Sequence, residues 1–301
     1  MRLTILGCYS ATPRVITNPT SQVLELNGHT FLIDCGEGTQ VELRRHKIKF
    51  NSISHVFISH LHGDHFFGLM GVITTFSLLN REKPLHIHGP KGIKEICLLQ
   101  LKLSKGYTNY PLYFHELTAS TPEVLLEDDK IMVSTLPLQH RIYANGFLFQ
   151  AQPNDRKLDV VKAEKAGVDV AYFRKAKQGL DVPNKEGKLI ASEEITSPPA
   201  PPQSYAFCSD TAYHPPLAEL IQGTTVLYHE STFQEEHAEL AAPTGHSTAK
   251  QAAQIAKAAG VDQLILGHYS TRYTSLKGFK EEAATIFPCV HLAEDGKVFQ
   301  F

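Results

Sequence analysis

The sequence predicts an α/β protein in which two mixed β-sheets pack together, with helices on their outer faces. Short apolar runs rich in β-branched and aromatic residues alternate with helical patterns, the middle of the chain returns to strands, and the alternation resumes towards the end. This order indicates two sheets packed together. With 301 residues and a hydrophobic fraction of 42%, the chain can form one large domain or two ordinary ones.

The first half supplies strands, then helices, then strands again. An Asn27-Gly28 hairpin turn is expected between the second and third strands. Strands are predicted at 3–6, 22–26, 31–34, 55–59, 85–88, 112–117, 130–138 and 146–149, and helices at 37–46, 65–79 and 91–104.

The last third, from Tyr205 onwards, again alternates strands and helices. Elements are predicted at 205–209, 215–222, 225–229, 247–259, 263–267 and 276–286, with a last pair of strands near 289–300.

The stretch between these parts, residues 154–196, has few apolar runs and carries nine basic and eight acidic side chains. A stiff proline-rich segment, residues 198–202, follows it. We therefore expect one domain over 1–301 with an inserted arm at about 152–197. On composition alone, a solvated or disordered loop fits equally well.

Composition excludes several classes of protein. Apolar runs fall short of the roughly 20 residues that span a bilayer, and the start of the chain lacks a secretory signal pattern. The five cysteines are widely spaced and odd in number, which favours reduced thiols and a cytoplasmic location. A net charge of −2 gives no bulk electrostatic argument for nucleic acid or membrane binding.

The strongest chemical signal is the hexapeptide at residues 60–65, His-Leu-His-Gly-Asp-His. It lies between a predicted strand and a predicted helix, where α/β sheets place their ligands. Three imidazoles and a carboxylate so close together would be costly to bury alone, whereas a zinc-like ion accepts both ligand types. The pattern indicates a metal site rather than a solvated turn.

Three further coordinating residues stand at the ends of apolar strands: His140, Asp210 and His268. Each alone is more often a hydrogen-bonded strand-end residue than a ligand. Together with the hexapeptide they predict a two-metal site.

This set resembles the metallo-β-lactamase superfamily, and longer motifs narrow the resemblance to the ribonuclease Z family, the tRNA 3′-processing endoribonucleases. The matching motifs extend over nearly the whole chain: 31–40 (FLIDCGEGTQ), 89–92 (GPKG), 229–233 (HESTF), 246–248 (HST) and 267–273 (GHYSTRY). The resemblance implies a four-layer αβ/βα sandwich, the metallo-β-lactamase fold.

The resemblance also implies roles for individual residues. One zinc ion would be held by His60, His62 and His140, the other by Asp64, His65 and His268, with Asp210 bridging the two; Mn²⁺ or Mg²⁺ could replace zinc. The implied catalytic residues are Asp64, which orients or deprotonates water, His246, the proton donor to the leaving oxygen, and Glu230, which fixes the tautomer of His246.

Residues around this set have more general readings. Asp34 fits a carboxylate that holds a ligand imidazole through its free N–H. His86 and His88 are interpreted as structural, because the ligand set is complete without them. Lys91, beside a glycine at a helix start, could meet phosphate. The candidate RNA contacts in the arm are Arg156, Lys157, Arg174, Lys175 and Lys177.

The family pattern is incomplete in two places. The loop at 13–18 keeps Pro13 and Asn18 of a basic Pro-x-Lys-x-Arg-Asn motif but shifts one basic residue and lacks the other. The arm lacks the Gly-Pro pair of many relatives.

The resemblance implies a zinc-dependent endoribonuclease that removes the 3′ trailer from precursor tRNA and leaves a 3′ hydroxyl, acting as a homodimer away from membranes. The alternatives are a binuclear-zinc phosphodiesterase or esterase for a small substrate and, more distantly, a non-catalytic RNA-binding protein.

Overall fold

The computed structural model describes residues 1–12 and 14–301, so Pro13 of the predicted loop motif lies outside the described residues. The strands described there are β1 (Arg2–Gly7), β2 (Ser21–Leu26), β3 (His29–Cys35), β4 (Ile53–Phe57), β5 (Leu85–Pro90), β6 (Leu112–Leu117), β7 (Val124–Glu127), β8 (Ile131–Pro137), β9 (Asn145–Ala151), β10 (Lys157–Leu158), β11 (Val182–Pro183), β12 (Leu189–Ile190), β13 (Thr196–Ser197), β14 (Ser204–Cys208), β15 (Val226–Glu230), β16 (Gln263–Gly267), β17 (Val290–Leu292) and β18 (Val298–Gln300).

The helices in the same residues are α1 (Thr39–Arg45), α2 (Gly63–Phe66), α3 (Leu69–Leu78), α4 (Ile93–Leu103), α5 (Val160–Lys165), α6 (Phe173–Lys177), α7 (Ser192–Ile195), α8 (Leu217–Leu220), α9 (Ala238–Thr244), α10 (Ala249–Ala259) and α11 (Lys277–Ala284). Short 3₁₀ turns lie at Phe50–Ser52, Val170–Tyr172 and Glu235–His237.

The chain divides into two compact units, Met1–Gln150 with Gln203–Phe301, and Ala151–Pro202. The larger unit contains two mixed seven-stranded sheets, in the orders β18-β1-β2-β3-β4-β5-β6 and β17-β16-β15-β14-β9-β8-β7. The predicted two-sheet α/β architecture is therefore confirmed.

Aromatic side chains fill the layer between the two sheets. Phe31 and Phe57 of the first sheet pack on Phe149 and Phe147 of the second, with ring centroids 5.2 Å apart in both pairs. Since side chains alternate along a strand, the other face of the first sheet is left for helices. There α1, α3 and α4 bury side chains such as Leu43 and Ile73 in one apolar cluster with the sheet.

The central strands of the second sheet are parallel and covered on both faces. Leu264, Ile265 and Leu266 of β16 are fully buried, as the continuous apolar run predicts. Helix α10 begins with a capping box, in which Thr248 and Gln251 satisfy each other's backbone amides. The capping box fixes the start of α10 directly after the segment 246–248.

Most predicted elements are present, and one of them differs for a physical reason. The predicted hairpin turn has both Asn27 and Gly28 at positive φ, as a primed two-residue turn requires. The predicted helix at 65–79 is instead split into α2 and α3. Gly68 causes the break: its amide donates to the Cys35 carbonyl, and a Cβ there would stand 2.0 Å from the Gly36 carbonyl oxygen.

The smaller unit, Ala151–Pro202, is ordered and has its own apolar cluster. Buried members of this cluster are Ala163, Val168, Ala176, Val182, Ile190 and Ile195. The disordered-loop interpretation of this stretch is therefore wrong, because dispersed apolar residues converge although they form no long run. We call residues 151–202 the arm.

Candidate metal centre

The hexapeptide crosses from the end of β4 into the first turn of α2. The segment after Phe57 carries His60 and His62, and the short helix carries Asp64 and His65. His140 follows β8, Asp210 follows β14, and His268 follows β16. The structure brings all seven predicted ligands together in the larger unit.

Three imidazoles and one carboxylate form the first cluster. His60 Nε2 and His140 Nε2 lie 3.0 and 3.2 Å from His62 Nδ1. Asp210 Oδ2 lies 3.6 Å from His60 Nε2 and 3.9 Å from His140 Nε2.

The second cluster uses the other oxygen of the same aspartate. His65 Nε2 and His268 Nε2 are 3.3 Å apart, and Asp64 Oδ2 lies 3.4 and 3.5 Å from them. Asp210 Oδ1 lies 3.4 Å from His65 Nε2 and 3.2 Å from His268 Nε2. Asp210 thus faces both clusters, one oxygen towards each.

These separations fit metal coordination. Ligands about 2.0–2.1 Å from a tetrahedral zinc ion stand roughly 3.3 Å from one another. The distances in both clusters, 3.0 to 3.9 Å, surround that value. Each cluster can therefore hold one divalent ion.

Hydrogen bonding outside the clusters shows which imidazole nitrogens are bare. His65 Nδ1 donates to Asp34 Oδ2 at 2.7 Å, and His140 Nδ1 donates to the Gly245 carbonyl at 2.8 Å. Because carboxylate and carbonyl oxygens only accept, the neutral form of each of these two imidazoles carries its lone pair on Nε2.

Two hydroxyl groups orient the imidazoles of two more ligands, His60 and His268, in the same way. Ser59 Oγ donates to Asp34 and accepts from His60 Nδ1 at 3.0 Å. Thr232 Oγ1 donates to Glu230 and accepts from His268 Nδ1 at 2.9 Å. Four bare Nε2 atoms and two carboxylates then converge, an arrangement that a cation stabilises.

Asp34 reaches the centre through a β-bulge. In the pairing of β2 with β3, Ser21 faces Cys35 and Gln22 faces Ile33, which leaves Asp34 unpaired, at φ 52°. A bulge redirects one side chain out of the strand's alternation. The Asp34 carboxylate accepts from the Ser59 amide at 2.7 Å and from His65, as predicted for a supporting carboxylate.

His246 and Glu230 form a pair beside the clusters. His246 Nδ1 lies 3.0 Å from Glu230 Oε1, which also accepts the Ser247 amide. Burial favours a lower pKa for His246, but the adjacent Glu230 carboxylate outweighs it and raises the pKa to about 9. His246 therefore carries a proton at neutral pH, with Nδ1 facing Glu230.

Sequence reasoning missed several supporting groups. Ser59 and Thr232 set the tautomers of His60 and His268, and the Ala11 amide donates to Asp64 Oδ2 at 2.8 Å. Adjacency to His60 and to Glu230 was the available signal for the two hydroxyls. The Ala11 contact joins positions 53 residues apart and has no sequence signal.

The predicted RNA contacts lie in two places. Beside Lys91, Glu116 Oε1 accepts the Gly92 amide at 2.7 Å. Within the arm, α6 packs against β10, so Arg174, Lys175 and Lys177 lie on the helix beside the strand that carries Lys157. Arg156 donates through Nε to Thr196 at 2.7 Å.

The clusters lie at the base of an open cleft of about 600 Å³. His62, Asp64, Asp210, His246 and His268 contribute to its wall. Other residues that line it are Ser10, Glu37, Phe67, Arg141, Phe233 and Thr271. The cleft leaves room for a substrate at both clusters and at His246.

Among the described residues, we find no helix whose length and apolar content would let it cross a membrane.

Comparison with known proteins identifies close relatives over nearly the whole chain. Ribonuclease Z of Bacteroides fragilis is 45% identical over 295 residues, covering 97% of this chain and 96% of the relative. Ribonuclease Z of Porphyromonas gingivalis is 43% identical over 283 residues, covering 94% and 93%. Residues 1–140 also match a family model described as anti-Pycsar protein Apyc1.

Solved structures agree on the fold. Human tRNase Z, short form, superposes with a TM-score of 0.73 at 26% identity, covering 100% of this chain and 99% of the human chain. The metallo-β-lactamase fold protein YhfI of Bacillus subtilis superposes with a TM-score of 0.68 at 17% identity, covering 99% and 98%. The chain belongs to the ribonuclease Z family and has the metallo-β-lactamase fold.

Proposed function

We infer that this protein is a metal-dependent endoribonuclease that removes the 3′ trailer from precursor tRNA and leaves a 3′ hydroxyl. The observation that carries this conclusion is the sequence similarity to ribonuclease Z proteins over nearly the whole chain, together with the seven ligands assembled in an open cleft. The enzyme class is a hydrolase of RNA phosphodiester bonds.

We assign the first ion to His60, His62 and His140 and the second to Asp64, His65 and His268, with Asp210 shared. Imidazole and carboxylate donors with tetrahedral spacing favour zinc, while Mn²⁺ and Mg²⁺ remain alternatives. When bound, such a pair of ions supplies Lewis-acid stabilisation of phosphate charge and an activated water. The chain's own part is to orient these donors: the Ala11 amide holds Asp64 Oδ2, and in this assignment Asp64 would orient or deprotonate the attacking water.

His246 is the general acid in this assignment. Its Nδ1 is held by Glu230, which leaves Nε2 to donate a proton to the leaving 3′ oxygen. The raised pKa keeps the imidazolium available at neutral pH. Glu230 thus acts as a positioning residue through His246.

We assign the arm, residues 151–202, to gripping tRNA. Its support is the group of basic residues on β10 and α6. A homodimer in the cytoplasm, in which one arm presents tRNA to the other subunit's cleft, belongs to the same proposal.

The direct test is incubation of metal-loaded protein with a 3′-extended precursor tRNA, with the product sized to the nucleotide. We expect one cut next to the discriminator position. His62→Ala should lose metal and cleavage together, whereas the matched variant His214→Ala, outside both clusters, should keep both. Cleavage elsewhere, or none by loaded wild-type protein, would contradict the assignment.

His246→Asn separates chemistry from metal binding. We expect roughly 10²- to 10⁴-fold slower cleavage, the usual contribution of a general acid, with unchanged zinc content. A variant that cleaves at the wild-type rate would remove His246 from the mechanism.

Hydrolysis of a small phosphodiester is the second candidate function. Residues 1–140, which match the anti-Pycsar protein Apyc1 model, contain five of the seven ligands, so the ligand set does not by itself single out RNA as the substrate. Faster hydrolysis of bis(p-nitrophenyl) phosphate than of precursor tRNA by the intact protein would make it the primary activity.

A further inference from the structure

Phe67 is an unusual phenylalanine in this molecule. Of the sixteen phenylalanines, all within the described residues, it alone is exposed, with 61% of its surface accessible. Single exposed apolar residues are common on protein surfaces, so exposure by itself indicates little. What distinguishes Phe67 is its position in the wall of the cleft that holds His62, Asp64 and His268.

The backbone around Phe67 keeps its ring out of the core. The Phe67 amide donates to Gly63 and the Gly68 amide to Cys35, both at 2.9 Å. The preceding residue, Phe66, is only 8% exposed and belongs to the apolar cluster under the first sheet. The chain therefore places one aromatic side chain in the core and the next one in the cleft.

The Phe67 ring rests directly on the metal-binding turn. A Cβ added to Gly63 would lie 2.2 Å from Cε2 and 2.5 Å from Cδ2 of that ring. Because the glycine between His62 and Asp64 has no side chain, the Phe67 ring can pack directly against it. The ring is adjacent to ligands of both clusters and remains more than half open to solvent.

We propose that Phe67 stacks on the nucleobase of a nucleotide flanking the scissile phosphate. Unpaired RNA bases stack on aromatic side chains, and such a contact is independent of phosphate charge. Phe67 would then help this centre to prefer RNA over phosphodiesters without bases. This inference rests on the proposed endoribonuclease function and names a specificity-determining residue for it.

The test compares wild-type protein with Phe67→Ala and Phe67→Trp on a 3′-extended precursor tRNA. We expect Phe67→Ala to lower kcat/KM about tenfold or more, the usual loss for one stacked base, and Phe67→Trp to restore it. Zinc content should be equal in all three. Tyr107→Ala, which removes an aromatic side chain that is 80% exposed outside the cleft, is the matched control and should cleave normally.

Substrates with one abasic nucleotide, on either side of the cleavage site, identify the contacted base. At the contacted position, base removal should slow wild-type protein as much as Phe67→Ala does and should slow Phe67→Ala no further. If, at both positions, base removal slows Phe67→Ala by the same factor as it slows wild-type protein, the stacking proposal is overturned. An unchanged kcat/KM for Phe67→Ala would also overturn it. Either result would leave the endoribonuclease function intact. Failure of wild-type protein to cut the precursor would overturn both.

Discussion

Asp34 shows how one buried carboxylate organises several ligands. Burial raises its pKa, while its contacts with His65 and Ser59 act in the opposite direction. Its Oδ2 atom accepts from His65 directly and from the Ser59 hydroxyl that holds His60, while Oδ1 accepts the Ser59 amide. Supporting hydrogen bonds of this kind set ring orientation and ligand basicity.

Asp34→Asn should weaken metal binding without removing a ligand. We expect zinc affinity to fall about 10- to 100-fold, because the amide holds the imidazole N–H less strongly than the carboxylate. Competition with a chromogenic chelator measures this. Asp129→Asn, at an exposed position, is the matched control, and equal affinities for the two variants would contradict the role of Asp34.

At the residue scale, sequence reasoning found the converging ligands and the carboxylates Asp34 and Glu230, but not the hydroxyl and backbone groups that also support the ligands. The hexapeptide and the strand-end positions of His140, Asp210 and His268 are local signals. Some of these supports are distant in sequence: the Gly245 carbonyl that binds His140 lies 105 positions away from it. Only the folded chain makes such a contact visible.

At the scale of elements, three neighbouring strands carry a row of imidazoles away from the metal centre. In the register of β4, β5 and β6, His55 faces His86 and His88 faces His115. His88 and His115 stack with centroids 4.4 Å apart, and His55 Nδ1 lies 3.0 Å from His88 Nε2. His86 and His88 thus pack within the sheet, in line with their structural interpretation.

This row should make stability depend on pH. Burial, reinforced by neighbouring imidazoles, lowers the pKa of His55 to about 4, against about 6.5 in an unfolded chain. Below pH 6.5 the His55 imidazole of the unfolded chain binds a proton, whereas the same imidazole in the folded chain stays neutral until the pH approaches 4. Stability is therefore complete above pH 6.5 and is lost as the pH falls towards 4.

We expect unfolding free energy to drop on the order of 1 kcal/mol for His55 alone between pH 7 and pH 5.5. Urea unfolding at both pH values, with and without chelator, measures the drop. His55→Phe should show a smaller pH dependence than wild type in each condition. Parallel curves for the two proteins would contradict the prediction.

Element types were predictable because apolar periodicity is local, whereas two interruptions of the elements were not. The break at Gly68 arises from close approach to Gly36, and the Asp34 bulge arises from pairing with β2. Both are tertiary effects, and both place side chains at the metal centre.

At the scale of the whole molecule, the arm is inserted where two strands of the second sheet already pair. Gln150 of β9 faces Ser204 of β14 in antiparallel register. A short turn can therefore close the chain after removal of the arm without disturbing that sheet.

Replacing Ala151–Pro202 with a short Asn/Gly turn should separate RNA binding from chemistry. We expect the variant to keep its zinc and its hydrolysis of bis(p-nitrophenyl) phosphate while losing cleavage of precursor tRNA, because the basic residues of the arm are gone. Rates on both substrates, measured side by side with wild type, decide the matter. Undiminished tRNA cleavage would show that the arm is not the RNA grip.

The two oxygens of Asp210 have a consequence for how metal ions bind to the two clusters. An ion bound to Oδ2 would restrain the rotation of the carboxylate and so hold Oδ1 towards the second cluster. The entropic cost of ordering this side chain would then fall on the binding of the first ion alone. Loading of the two clusters should accordingly be coupled, so that zinc content plotted against zinc concentration departs from two independent binding curves.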